Sequence, residues 1–71
     1  MSAHSTAYRR FAHRLREARR LAGLTQADVA IRLKRRQSFV SKVEAGERRV
    51  DVIELREFAK LYGKPLSWFL R

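Results

Sequence analysis

Gln37, Ser38, Ser41 and Lys42 form a cluster whose residue types and spacing could do a specific chemistry. On a helix turning about 100° per residue, they share one side with Ala45, while Phe39, Val40 and Val43 fall opposite. A Gln amide offers a donor and an acceptor in one plane, matching the N6 and N7 edge of adenine. A Lys ammonium can donate to O6 and N7 of guanine. A helix face that is merely solvated more often mixes Glu with Lys. The chemistry on offer is therefore hydrogen-bonded reading of base edges, with no bond made or broken.

The charge balance points the same way. Seventeen Lys and Arg stand against seven Asp and Glu, a net charge of +10 on 71 residues. Such an excess favours a polyanionic partner; nucleic acid is the commonest, and an anionic membrane surface is the competitor. No nucleophile–base pair, metal cluster or phosphate-cradling glycine loop occurs, so no enzymatic activity and no cofactor are expected. Cysteine is absent, and His4 and His13 cannot complete a zinc site alone, so no metal is expected. The apolar runs are too short to span a membrane, and Met1 to Ala7 lacks the apolar stretch of a signal peptide. Lack of cysteine fits a reducing cytoplasm. The sequence also lacks the sheet and exposed stacking aromatics on which single-strand RNA readers depend.

A cluster of this kind needs elements to hold it. The length allows one small domain, expected over residues 8–71 behind a disordered tail, 1–7. Tyr8, Phe11, Ala12, Leu15, Ala18 and Ala22 recur at helical spacing before Gly23, which supplies a stop. Thr25 and Asp28 form a capping box for a short helix over about 26–33, with Val29, Ala30 and Leu33 inward. A third helix should run from 37 to 45 and end at Gly46. Asp51 and Glu54 repeat the capping pattern ahead of the stripe Val52, Leu55, Phe58, Ala59 and Tyr62. Pro65 suits the first turn of a last helix carrying Leu66, Trp68, Phe69 and Leu70. No stretch alternates as a strand would. The expected fold is all-α, with five short helices, the second and third forming a helix-turn-helix.

Leu24-Thr25-Gln26, the run Gln37 to Glu44, Gly46-Glu47-Arg48-Arg49 and the segment Val52 to Gly63 together resemble the Cro/C1-type (XRE-like) helix-turn-helix family. The likeness spans about residues 11–70. It implies a five-helix bundle of the lambda-repressor-like type, bacterial or phage origin, and binding to a double-stranded DNA operator, usually as a homodimer. Gln37, Ser38 and Lys42 match base-reading positions. Gln26 matches a glutamine that binds phosphate and braces the first recognition-helix residue. Arg19 and Glu44 match an internal salt bridge between helices 1 and 3. The family usually has glycine or another small residue near Lys34 and a Ser or Thr cap near Arg36; this chain has neither.

Arg35, Arg36, Arg48 and Arg49 flank the third helix and are expected, with Ser41 and Gln26, to meet the DNA backbone. The helix 1 arginines Arg9, Arg10, Arg14, Arg16 and Arg20 read as a solvated face acting through its field. Phe39 borders both faces and is assigned to the core edge. Apolar residues left after the core is filled, namely Ile53, Leu61, Trp68 and Leu70, are candidates for a dimer interface. A DNA-binding regulator, a repressor or controller without its own ligand-sensing domain, is the function expected. The alternative is an antitoxin or adaptor that holds a protein partner through the apolar C-terminal patch.

Overall fold

The computed structural model describes residues 5–71. It contains five helices in the order α1 (Thr6–Leu21), α2 (Gln26–Leu33), α3 (Gln37–Glu44), α4 (Val52–Tyr62) and α5 (Leu66–Phe69). There is no strand among the described residues. The domain measures 30 × 24 × 20 Å.

The local chemistry of the caps explains most boundaries. Thr25 N–H donates to Asp28 Oδ2 at 2.9 Å and Asp28 N–H to Thr25 Oγ1 at 3.0 Å, so α2 starts where the capping box places it. Asp51 and Glu54 repeat the exchange at 3.0 and 2.8 Å for α4. The first helix departs from the expectation. Ser5 Oγ accepts from Tyr8 N–H, and α1 begins at Thr6 rather than Tyr8. Apolar spacing could not register these two extra residues, because Thr6 and Ala7 are exposed. Of the expected tail, residues 1–4, including His4, lie outside the described residues. At the other end, Pro65 is the N-cap of α5, outside its first turn.

The turn between α2 and α3 departs from the commonest chemistry of such turns. Lys34 caps α2 in the left-handed region at φ 57° and ψ 44°, and it is the only non-glycine residue with positive φ among those described. That conformation costs an L-residue roughly 1–2 kcal/mol. Glycine's greater freedom in the unfolded chain takes back about 0.4–1 kcal/mol. Lys34→Gly is therefore expected to stabilise the domain by up to about 1.6 kcal/mol, read as a rise in Tm; a lower Tm would contradict the assignment of strain to this residue. Arg36 is the N-cap of α3, and its side chain makes no cap bond.

The core joins every helix: Leu15 and Ala18 of α1, Val29 and Ala30 of α2, Val40 and Val43 of α3, Phe58, Ala59 and Tyr62 of α4, and Trp68 and Phe69 of α5. Trp68, expected at a dimer surface, therefore belongs to the interior instead, only 9 % exposed. Its ring packs against Phe69 at 5.2 Å and has Lys64, Arg14 and Arg71 within 5.1–5.8 Å, so cations cover what the sequence suggested was spare apolar area. Leu61 is likewise half-buried against the core. Ile53 and Leu70 remain exposed, as do Val52 and Leu66.

Candidate nucleic-acid interface

The two sides of α3 separate cleanly. Val40 and Val43 are fully buried, whereas Gln37, Ser38, Ser41 and Lys42 are exposed together on the outer side. A helix of eight residues cannot hold itself in water, so its shape depends on the two valines it inserts. Phe39 is half-buried and stacks on Phe58 with centroids 6.0 Å apart, which places it against the core edge.

Behind α3, Glu44 ties the third helix to the first two. Its carboxylate accepts from Arg19 Nε at 2.7 Å and Nη2 at 3.1 Å, a two-pronged contact, and from Gln26 Nε2 at 3.1 Å. Arg19 Nη1 also donates to the Leu24 carbonyl at 2.9 Å. Both charged side chains are largely buried, 11 % and 4 % exposed. The salt bridge that the resemblance implies is thus present between α1 and α3. Gln26, expected to brace Gln37, donates one amide N–H to Glu44. A hollow beside it is lined by Arg16, Gln26, Ser41, Glu44 and Ala45. Arg16 is therefore a neighbour of the outer side of α3, although sequence spacing left it within a solvated face.

Cations frame the exposed side at both ends. A groove beside α3 is lined by Lys34, Arg35, Arg36, Ser38, Phe39, Lys42 and Arg48. Two of these arginines are held in place. Arg35 Nη1 donates to Glu54 Oε2 at 3.1 Å and Arg48 Nη1 to Glu54 Oε1 at 2.6 Å. Both guanidinium groups lie over the Phe39 ring, 3.7 Å and 4.8 Å from its centre. Partial burial acts to raise the Glu54 carboxyl, but hydrogen bonds from Arg48, the Asp51 N–H and Arg35 outweigh it. The group is lowered from 4.5 to about 2. Glu54 was legible in the sequence only as the third residue of a capping box.

The loop after α3 is pinned from the first helix. Tyr8 Oη accepts from Val50 N–H at 2.9 Å and donates to the Arg48 carbonyl at 3.2 Å, and Arg49 lies 4.6 Å over the Tyr8 ring. Tyr8 thus fixes the segment that carries Arg48 and Arg49 instead of filling the core. Beyond it an apolar groove runs between the start of α1 and the start of α4, lined chiefly by Tyr8, Phe11, Val50, Val52, Leu55 and Leu70.

Two short helices joined through a tight turn, with a polar face on the second and arginines at both of its ends, define a helix-turn-helix domain. A family model described as a helix-turn-helix domain matches residues 10–66, and the chain belongs to that family, whose kind is XRE/Cro-like. Domains of this type are characteristic of DNA-binding regulators. Comparison with curated proteins and with solved structures gave no match. No helix among the described residues is long and apolar enough to cross a membrane, and no group of three His, Cys, Asp or Glu residues among them could hold a metal ion.

Proposed function

We propose that this protein is a sequence-specific regulator of transcription, a repressor or controller, that lays α3 in the major groove of an operator. The observation that carries the proposal is the split of α3. Gln37, Ser38 and Lys42 face outward as a hydrogen-bonding set, and Val40 and Val43 fix the helix from within. Phosphate contacts set the register and base contacts discriminate. Arg35, Arg36, Arg48, Arg49, Ser41 and Gln26 are assigned to the backbone, and Arg16 joins them because it lies beside Gln26 and Ser41. The N-terminus of α2 adds backbone N–H groups that favour an anion.

One such domain reads few base pairs, so a homodimer on a two-fold site is the expected arrangement. Ile53 and Leu70 remain exposed candidates for its surface, and Val52 joins them because it lines the apolar groove with Leu70. A regulator of this kind works on cytoplasmic, nucleoid-borne DNA and needs no cofactor. An antitoxin or adaptor role would use the same groove to hold a protein partner, and it predicts that changes at Val52 and Leu70 outweigh changes at Lys42.

Selection of bound sites from random duplexes at a fixed salt concentration tests the proposal. A symmetric consensus is expected. On that consensus Gln37→Ala should cost about 1–3 kcal/mol, with little loss on scrambled DNA. Equal losses on both duplexes would remove Gln37 from base reading.

A further inference from the structure

Arg35 and Arg48 come from opposite ends of α3, one in the turn before it and one in the loop after it, yet both reach the same carboxylate. Glu54 receives one on each oxygen, at 3.1 and 2.6 Å. The carboxylate is itself immobilised, because Oε1 also accepts the Asp51 N–H at 3.0 Å in the cap of α4. The two guanidinium groups are laid over Phe39, and Phe39 rests on Phe58 in the core. A side chain as long as arginine ordinarily loses much rotamer freedom when it meets a partner. Here that freedom is already restricted in the free protein. Glu54 is covered by the pair it holds, its side chain 12 % exposed, while Arg35 and Arg48 remain 35 % and 41 % exposed. Each guanidinium has five N–H donors, so donors remain after the bond to Glu54.

We infer that Glu54 is a positioning residue for DNA recognition, fixing Arg35 and Arg48 on Phe39 so that their remaining donors meet backbone phosphates in the register that seats α3. The inference rests on the DNA-reading function proposed above. Glu54 itself makes no contact with DNA. Its removal should leave general attraction to DNA intact, since one negative charge is lost, while the selected site loses its advantage over scrambled sequence.

The test compares Glu54→Gln with wild type on the selected and the scrambled duplex, at one salt concentration and well below both melting temperatures. Glutamine can still accept the Asp51 N–H, so the cap of α4 is kept. The ratio of the two affinities is expected to fall about tenfold, with scrambled-duplex binding unchanged or tighter. Arg35→Lys combined with Arg48→Lys leaves Glu54 and the net charge in place but removes the flat guanidinium surfaces; it should lower the ratio by a similar factor, and it serves if the Gln variant does not fold. Adding Glu54→Gln to that pair should then change the ratio little. An unchanged ratio in Glu54→Gln, or in the lysine pair where the Gln variant does not fold, would overturn the inference and leave Glu54 a helix-capping residue. Equal tightening on both duplexes would overturn it too, making Glu54 a mere competitor for the arginines. If wild type itself prefers no duplex, the DNA-reading function fails first and takes the inference with it, an outcome visible before any variant is made.

Discussion

Glu44→Ala is expected to destabilise the domain by about 3–5 kcal/mol, the usual cost of leaving a buried charge without its partner. In the wild type, three donors converge on that carboxylate: Arg19 Nε and Nη2 and Gln26 Nε2. Truncation leaves the Arg19 guanidinium, 11 % exposed, with the Leu24 carbonyl in place of a counter-charge. For a domain of this size each kcal/mol shifts Tm by roughly 4–8 °C, so a drop on the order of 12–40 °C is anticipated in thermal unfolding. The asymmetry of buried ion pairs provides the control. Replacing both partners with apolar residues of similar volume is often neutral, so Arg19→Met with Glu44→Leu should recover most of the loss. A Tm within a few degrees of wild type for Glu44→Ala would mean that water reaches Arg19 and that the bridge contributes little.

The second large effect is on binding. In the proposed function Arg16, Arg35, Arg36, Arg48 and Arg49 meet phosphates. Each neutralised phosphate releases condensed counterions, and the logarithm of affinity falls with the logarithm of salt at a slope of about −0.9 per contact on duplex DNA. With five such contacts, raising salt from about 50 to about 200 mM should weaken one domain's binding by roughly 500-fold. The same titration resolves the contributors. Arg36→Ala or Arg49→Ala should flatten the slope by about one unit and weaken selected and scrambled duplexes alike. A slope near zero for the wild type would show that the surplus of positive charge lies away from the bound duplex, and would remove the backbone-contact assignments together.

Much of this architecture can be read from local chemistry. Thr25 with Asp28 and Asp51 with Glu54 satisfy orphan amides within a few residues, so the starts of α2 and α4 follow from the letters alone. The outward set on α3 follows from helical period in the same way. What the sequence hides depends on partners distant along the chain. Arg16 looks like its neighbours until α1 is laid beside Gln26 and Ser41. Trp68 looks spare because four helical residues are too few to define a buried side. Glu54 has its second role only when Arg35 and Arg48 arrive from either end of α3. Lys34 contradicts turn preference outright, since nothing about lysine announces a left-handed backbone. The Lys34 difference is one of local strain; the others are of tertiary placement.

The brevity of α3 carries a consequence for how this molecule fails. Eight residues form an element that borrows its rigidity from Val40, Val43 and the Glu44 bridge. Partial denaturation therefore has no half-competent form to offer. Any fluctuation that frees these anchors abolishes the proposed recognising surface at the same moment. The number of molecules able to act in a cell then tracks the folding equilibrium itself, so a modest weakening of the interior would be felt as a dosage effect, without any change to the side chains that face outward.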